Sequence, residues 1–149
     1  MENELPNTRY GQTLPDHTRR HNLYYLKLDL PSGKAYNFDG RELTLPVNKG
    51  EADHHCMIWD TQERVASVGP SISLDQKGNP AMLLPVSEHT PYACKFYLVR
   101  RENSKWTKTP ITKTSHPFNS NHLRHNADGS MHAWLISGNG ESIAEDNMN

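Results

Sequence analysis

Apolar residues in this chain come in short runs, each closed by residues that favour turns. Leu23-Tyr24-Tyr25-Leu26-Lys27-Leu28 and Lys95-Phe96-Tyr97-Leu98-Val99-Arg100 are rich in aromatic, leucine or β-branched side chains. Pro31-Ser32-Gly33-Lys34 follows the first run and Glu102-Asn103-Ser104-Lys105 the second. Runs of this composition bounded by turn chemistry predict strands, so each opens a hairpin. The returning arms are Ala35 to Phe38, resuming at Leu43 to Val47, and Trp106 to Thr112.

A second kind of hairpin is written twice. Ser71-Ile72-Ser73-Leu74 leads through Asp75-Gln76-Lys77-Gly78-Asn79 to Ala81-Met82-Leu83-Leu84. Asn121 to His125 leads through Asn126-Ala127-Asp128-Gly129-Ser130 to Met131 to Ile136. The turn glycines, Gly78 and Gly129, are 51 residues apart, and a period near 50 made of four short strands is the mark of a propeller blade. With strands labelled A to D, residues 22–47 supply C and D of one blade, 66–112 a complete blade, and 119–138 A and B of the next. Residues 48–65 form a long insertion and residues 139–149 a frayed tail. The expected fold is all-β, a partial β-propeller of four-stranded antiparallel blades. A small β-sandwich is the alternative, since strand count alone does not separate the two.

Composition narrows this picture. Only 34% of the 149 residues are apolar, and ten prolines with nine glycines punctuate the chain, which suits short strands and many turns rather than a helical bundle. Net charge is -1 and the basic residues are scattered, so the basic stripe of a nucleic-acid binder is missing. No apolar run approaches the length of a membrane-spanning helix. The start, Met1 to Pro6, lacks the basic and apolar regions of a secretory leader. Incomplete blades leave open sheet edges, through which self-association is expected.

Once the hairpins are placed, His21-Asn22-Leu23-Tyr24-Tyr25-Leu26, Phe38-Asp39-Gly40-Arg41-Glu42-Leu43-Thr44-Leu45-Pro46 and Phe96-Tyr97-Leu98-Val99-Arg100 with Trp106 and Ile111 resemble the BNR-repeat-like propellers that include ulvan-lyase-like polysaccharide lyases. The Ser-x-Asp-x-Gly-x-Thr-Trp box survives only as Leu28-Asp29 to Gly33 and Tyr36, and Glu102-Asn103 to Trp106, a departure that argues against sialidase activity. About two blades' worth of strands is present, so the resemblance implies an incomplete stretch of a propeller, or one that must assemble. It also implies an acidic polysaccharide as partner and an extracellular or periplasmic location.

In an up-and-down blade the B-C loops and D-A connections share one end of the strands. His17, His21, His54, His55, His89, Tyr92 and His116 all fall at that end, whereas the opposite end carries the tight turns. A lyase that abstracts a proton α to a uronate carboxylate needs a base, an acid near the leaving oxygen and a cation to hold the carboxylate. The resemblance thus implies His21, His54, His55 and His89 as base or acid, Tyr92 as proton donor, Arg20 and Arg124 as carboxylate neutralisers, and Trp59, His116 and Asn22 as sugar contacts. Trp59, in the polar insertion, is either a stacking platform or packing beneath the loop. Arg100 and Arg101, at the turn-rich end, are expected to be a solvated pair. His54, Cys56, His89 and Cys94 offer zinc ligands, while a Cys56–Cys94 disulfide and two free thiols are equally consistent with the spacing. A β-eliminating polysaccharide lyase is the leading expectation. The alternatives are a non-catalytic carbohydrate-binding or assembly module and a zinc-stabilised structural fragment.

Overall fold

The computed structural model describes residues 20–62, 64–67, 69–88, 93–116 and 119–137. The chain divides into two compact units, Asn22–Gln62 and the residues flanking it, and the fold is all-β apart from one short helix.

In the first unit, β1 (Leu23–Tyr24) pairs antiparallel with β5 (Met57–Trp59). β2 (Lys27–Asp29), β3 (Lys34–Tyr36) and β4 (Glu42–Leu43) form a three-stranded meander. The apolar run at 23–28 is therefore two strands in two sheets rather than one hairpin arm. The turn between β2 and β3 closes on Gly33, whose φ of 68° a residue with a Cβ adopts only under strain. Asn37 builds the next turn, its Oδ1 accepting from the amides of Asp39 (3.0 Å) and Arg41 (2.9 Å).

Residues 48–65 are not a plain loop. They hold α1 (Lys49–His55), capped by Asn48 Oδ1 accepting from Glu51 N at 2.9 Å, and then β5. Trp59 consequently lies in a strand, paired with Leu23, rather than in a polar insertion. Ala35, Leu43 and Cys56 form the unit's core, with Tyr24 and Val47 packed against it.

In the flanking unit, β6 (Ser71–Leu74), β7 (Pro80–Ser87), β8 (Cys94–Glu102) and β9 (Lys105–Thr114) form a sheet in serial order, which is the meander of a blade. Every residue of β7 is buried. Asn103 and Ser104 both have positive φ, 48° and 64°, the geometry of a two-residue hairpin whose twist matches that of the strands. The outer strand β9 carries Lys105, Lys108, Pro110 and Lys113, residues that discourage edge-to-edge pairing.

A second hairpin, β10 (Asn121–His125) with β11 (Met131–Leu135), lies alongside this sheet. Its placement is set by polar contacts between β10 and β6, which run in the same direction. Leu123 N donates to Ser71 Oγ (2.8 Å) and His125 N to Ser73 Oγ (3.0 Å), while Ser71 N donates to Asn121 Oδ1 (3.3 Å). The partners are 50 to 52 residues apart, so the period in the sequence is the distance from one blade to the next. Between them Ala81, Leu83, Phe96 and Leu123 are buried together, with Leu98, Met131 and Leu135 against them. A fully buried Leu or Phe contributes about 1.5–3 kcal/mol relative to exposure, so this cluster is the main apolar bond between the two hairpins.

Candidate functional site

Within Asn22–Gln62, the pairing of β1 with β5 brings a chain of polar groups together. Asn22 adopts a left-handed conformation, φ 70°, and exchanges two hydrogen bonds with the buried Thr61. Its amide donates to Thr61 Oγ1 (2.9 Å) and its Oδ1 accepts from Thr61 N (3.0 Å). Asn22 Nδ2 donates to Tyr24 OH (3.3 Å), which donates to Asp53 Oδ1 at 2.6 Å. Lys49, one turn before Asp53 on α1, closes the chain with Nζ at 2.9 and 2.7 Å from the two carboxylate oxygens. Burial, and then the hydrogen bond to Asp53, pushes the Tyr24 hydroxyl above its ordinary pKa, so it stays protonated and donating. Asn22, expected from the sequence as a sugar contact, thus ties the start of β1 to Thr61, just after β5, through its backbone amide and its side chain.

His54 and His55 end α1, their rings edge to face at 4.6 Å between centroids. His54 is exposed and His55 half-buried. Burial, then the Arg41 guanidinium and His54, hold the His55 imidazole below the ordinary histidine range. It is therefore neutral near pH 7 and able to take a proton. The backbone beneath it is fixed by Asn37 Nδ2 donating to His55 O at 3.0 Å. The sequence pattern pointed to the two histidines but missed Tyr24, Lys49 and Asp53. Tyr24 sits in a strand run and reads as core, and its acidic partner lies 29 residues away.

The remaining expected residues are placed as follows. In the flanking unit, Arg20 O accepts from Ala66 N (2.8 Å), and His21 Nδ1 donates to Arg64 O (3.2 Å), which leaves the ring's lone pair on Nε2. His116 is half-buried after β9. Arg124 is exposed on β10, opposite His132 and on the same face as His122 and Trp134. His17, His89 and Tyr92 lie outside the described residues.

Cys56 is fully buried beside Ala35 and Leu43, and Cys94 is also buried. Burial raises both thiols, Cys94 to about 12, and His89, the fourth ligand expected of a zinc site, lies outside the described residues. Cys56 and Cys94 are not joined to each other, so the disulfide expected as an alternative is not formed. Among the described residues no three His, Cys, Asp or Glu side chains gather as a metal site.

The sequence pattern of the BNR repeat-containing family matches residues 10–114, and the chain belongs to that family. Two solved structures share its fold, both of ulvan lyase, described as a new family of polysaccharide lyase, and one of them bound to -[GlcA(1-4)Rha3S]-. Each is 19% identical to this chain with a TM-score of 0.58 over 80% of it. The chain spans 31% of the length of those structures. No curated protein matches its sequence. Family and fold together make this a partial β-propeller, with the serial four-stranded sheet of a blade where a sandwich would need two sheets packed face to face.

Proposed function

We propose that this chain forms part of a propeller that binds an acidic, uronate-containing polysaccharide and cleaves it by β-elimination. The observation that carries the reading is the state of His55: a half-buried imidazole kept neutral beside the Arg41 guanidinium, in a fold shared with polysaccharide lyases. In this reaction His55 takes the proton α to the uronate carboxylate. The electron pair forms the carbon–carbon double bond, and the bond to the glycosidic oxygen breaks as that oxygen takes a proton. Arg41, whose charge acts on His55, is the cation offered to the carboxylate, and exposed His54 is the second proton carrier. Arg20, His21, His116 and Arg124 belong to the flanking unit and are not assigned to this step. Such a substrate implies an extracellular or periplasmic protein.

The test is the ultraviolet absorbance of unsaturated uronate released from glucuronate-containing polysaccharides. His55→Ala is expected to lower the rate by about 10²–10⁴-fold, the usual weight of a general base. Binding without any unsaturated product would support the non-catalytic carbohydrate-binding module instead. An unchanged rate in His55→Ala would remove His55 from the mechanism.

A further inference from the structure

A cleft of about 380 Å³ opens in the flanking unit where the turn between β6 and β7, the end of β8 and the turn between β10 and β11 meet. It lies at the tight-turn end of the flanking unit's strands. Its volume falls in the range of small-molecule sites. The two turns that form its rim are joined by Gln76 Nε2 donating to Ala127 O, and each is closed internally, by Gly78 N donating to Asp75 O (2.9 Å) and Gly129 N to Asn126 O (3.1 Å).

The charges lining the cleft are unequally engaged. Asp75 is occupied by its own turn, accepting from the amides of Lys77 and Asn79 at 2.8 Å and from Asn79 Nδ2 at 2.9 Å. Glu102 pairs with Arg100 Nη2 at 2.5 Å. The cations keep donors in reserve. Arg100 Nε is buried with no hydrogen-bond partner, and among the described residues the Lys77 ammonium has none. On His125, Ser73 Oγ accepts from the backbone amide at 3.0 Å and faces Nδ1 at 3.1 Å. Nδ1 is thus engaged with Ser73, and Nε2 is the ring nitrogen left to meet a ligand. Both carboxylates are engaged, whereas Lys77 and Arg100 Nε hold donors with no acceptor among the described residues, so the spare bonding capacity of the cleft is for an anion.

We propose that this cleft is a second glycan subsite that holds one anionic sugar, a uronate or a sulfate ester, through Lys77, Arg100 and His125. The ligand class rests on the acidic-polysaccharide reading, but the site is built wholly from residues of the flanking unit and does no chemistry. On the whole chain, a sulfated glucuronate oligosaccharide is expected to shift the amide resonances of Gly78 and Gly129 and to bind measurably by calorimetry. Arg100→Gln and Lys77→Gln should each weaken that binding about tenfold, the worth of a charge-assisted contact of roughly 1.4 kcal/mol. Glu102→Gln, which releases Arg100 from its partner, should strengthen it. That opposite sign is not expected of residues that merely hold the fold. Unchanged affinity in Arg100→Gln with unmoved Gly78 and Gly129 resonances overturns the proposal, and inorganic sulfate binding as tightly as the oligosaccharide overturns its sugar class. If these variants change binding while no unsaturated product is ever formed, the subsite stands and the elimination reading fails. If product forms and Arg100→Gln binds normally, the reverse holds.

Discussion

The β6–β7 and β10–β11 hairpins follow one plan 51 residues apart, yet their equivalent faces meet different surroundings. The backbone bonds of the two turns agree. Asp75 N donates to Asn79 O at 3.0 Å where Asn126 N donates to Ser130 O at 2.9 Å, and Gly78 and Gly129 take φ of 79° and 85°. The faces do not agree. Ser71, Ser73, Ala81 and Leu83 are small or aliphatic, and the next hairpin comes close enough for the two serine hydroxyls to take its backbone amides. At the equivalent positions stand His122, Arg124, His132 and Trp134, with Trp134 52% exposed and the two histidine rings 5.4 and 5.8 Å from it. Turn chemistry is local and survives repetition, whereas a strand face is shaped by what packs on it.

The largest effect expected from this contrast comes from truncating the equivalent pair Leu83 and Trp134. Leu83 is fully buried, so Leu83→Ala should cost about 2–5 kcal/mol in denaturant unfolding. Trp134→Ala, at the exposed counterpart, should cost less than about 0.5 kcal/mol despite removing the larger side chain. Equal losses would mean that Trp134 is covered in solution. Next in size is Ser71→Ala, which strands the amide of the buried Leu123 and should cost about 1–3 kcal/mol. Faster hydrogen exchange confined to β10 would confirm that the serine anchors the hairpin.

The smallest effect compares the turns by pH. Hydrogen bonds from Asn79 hold Asp75 below the ordinary carboxylate range, and those from Ser130 do the same for Asp128. Carboxylates whose folded pKa is depressed stabilise above the unfolded value, near pH 4, and lose that contribution as pH falls through the folded one. Asp75→Asn and Asp128→Asn should each flatten the acid limb of the stability curve below about pH 4. Asp128 is exposed and Asp75 only partly covered, so the change should be small and weaken further in salt. An unaltered acid limb in both variants would show that neither turn carboxylate contributes.

Much of the fold was legible because its signals were local. Gly33, Gly78 and Gly129 sit at turns that demand positive φ, and Asn103-Ser104 closes the β8–β9 hairpin where turn chemistry predicted it. The helix was missed for a physical reason: α1 buries none of its residues, so it has no apolar stripe to betray it. Its only local signal is the cap, Asn48 three residues before Glu51. The strand run at 23–28 was misassigned because β1 takes its partner from β5, more than thirty residues on. For the candidate site, residue type pointed to His54 and His55, but no spacing rule joins Tyr24 to Asp53, and Arg100 reads as a solvated residue until Glu102 and the two turns are seen around it.

By itself, then, the sequence determined the all-β class, the 51-residue repeat and the family resemblance, since alternation, turn residues and period act over a few neighbours at a time. Tertiary structure alone decided which face of each hairpin is buried, that burial raises both cysteine thiols, that Asn22 bonds Thr61 across 39 residues, and that Lys77, Arg100 and His125 line one cleft. These depend on long-range pairing, because burial and the satisfaction of each polar group are settled only by what the rest of the chain brings to it.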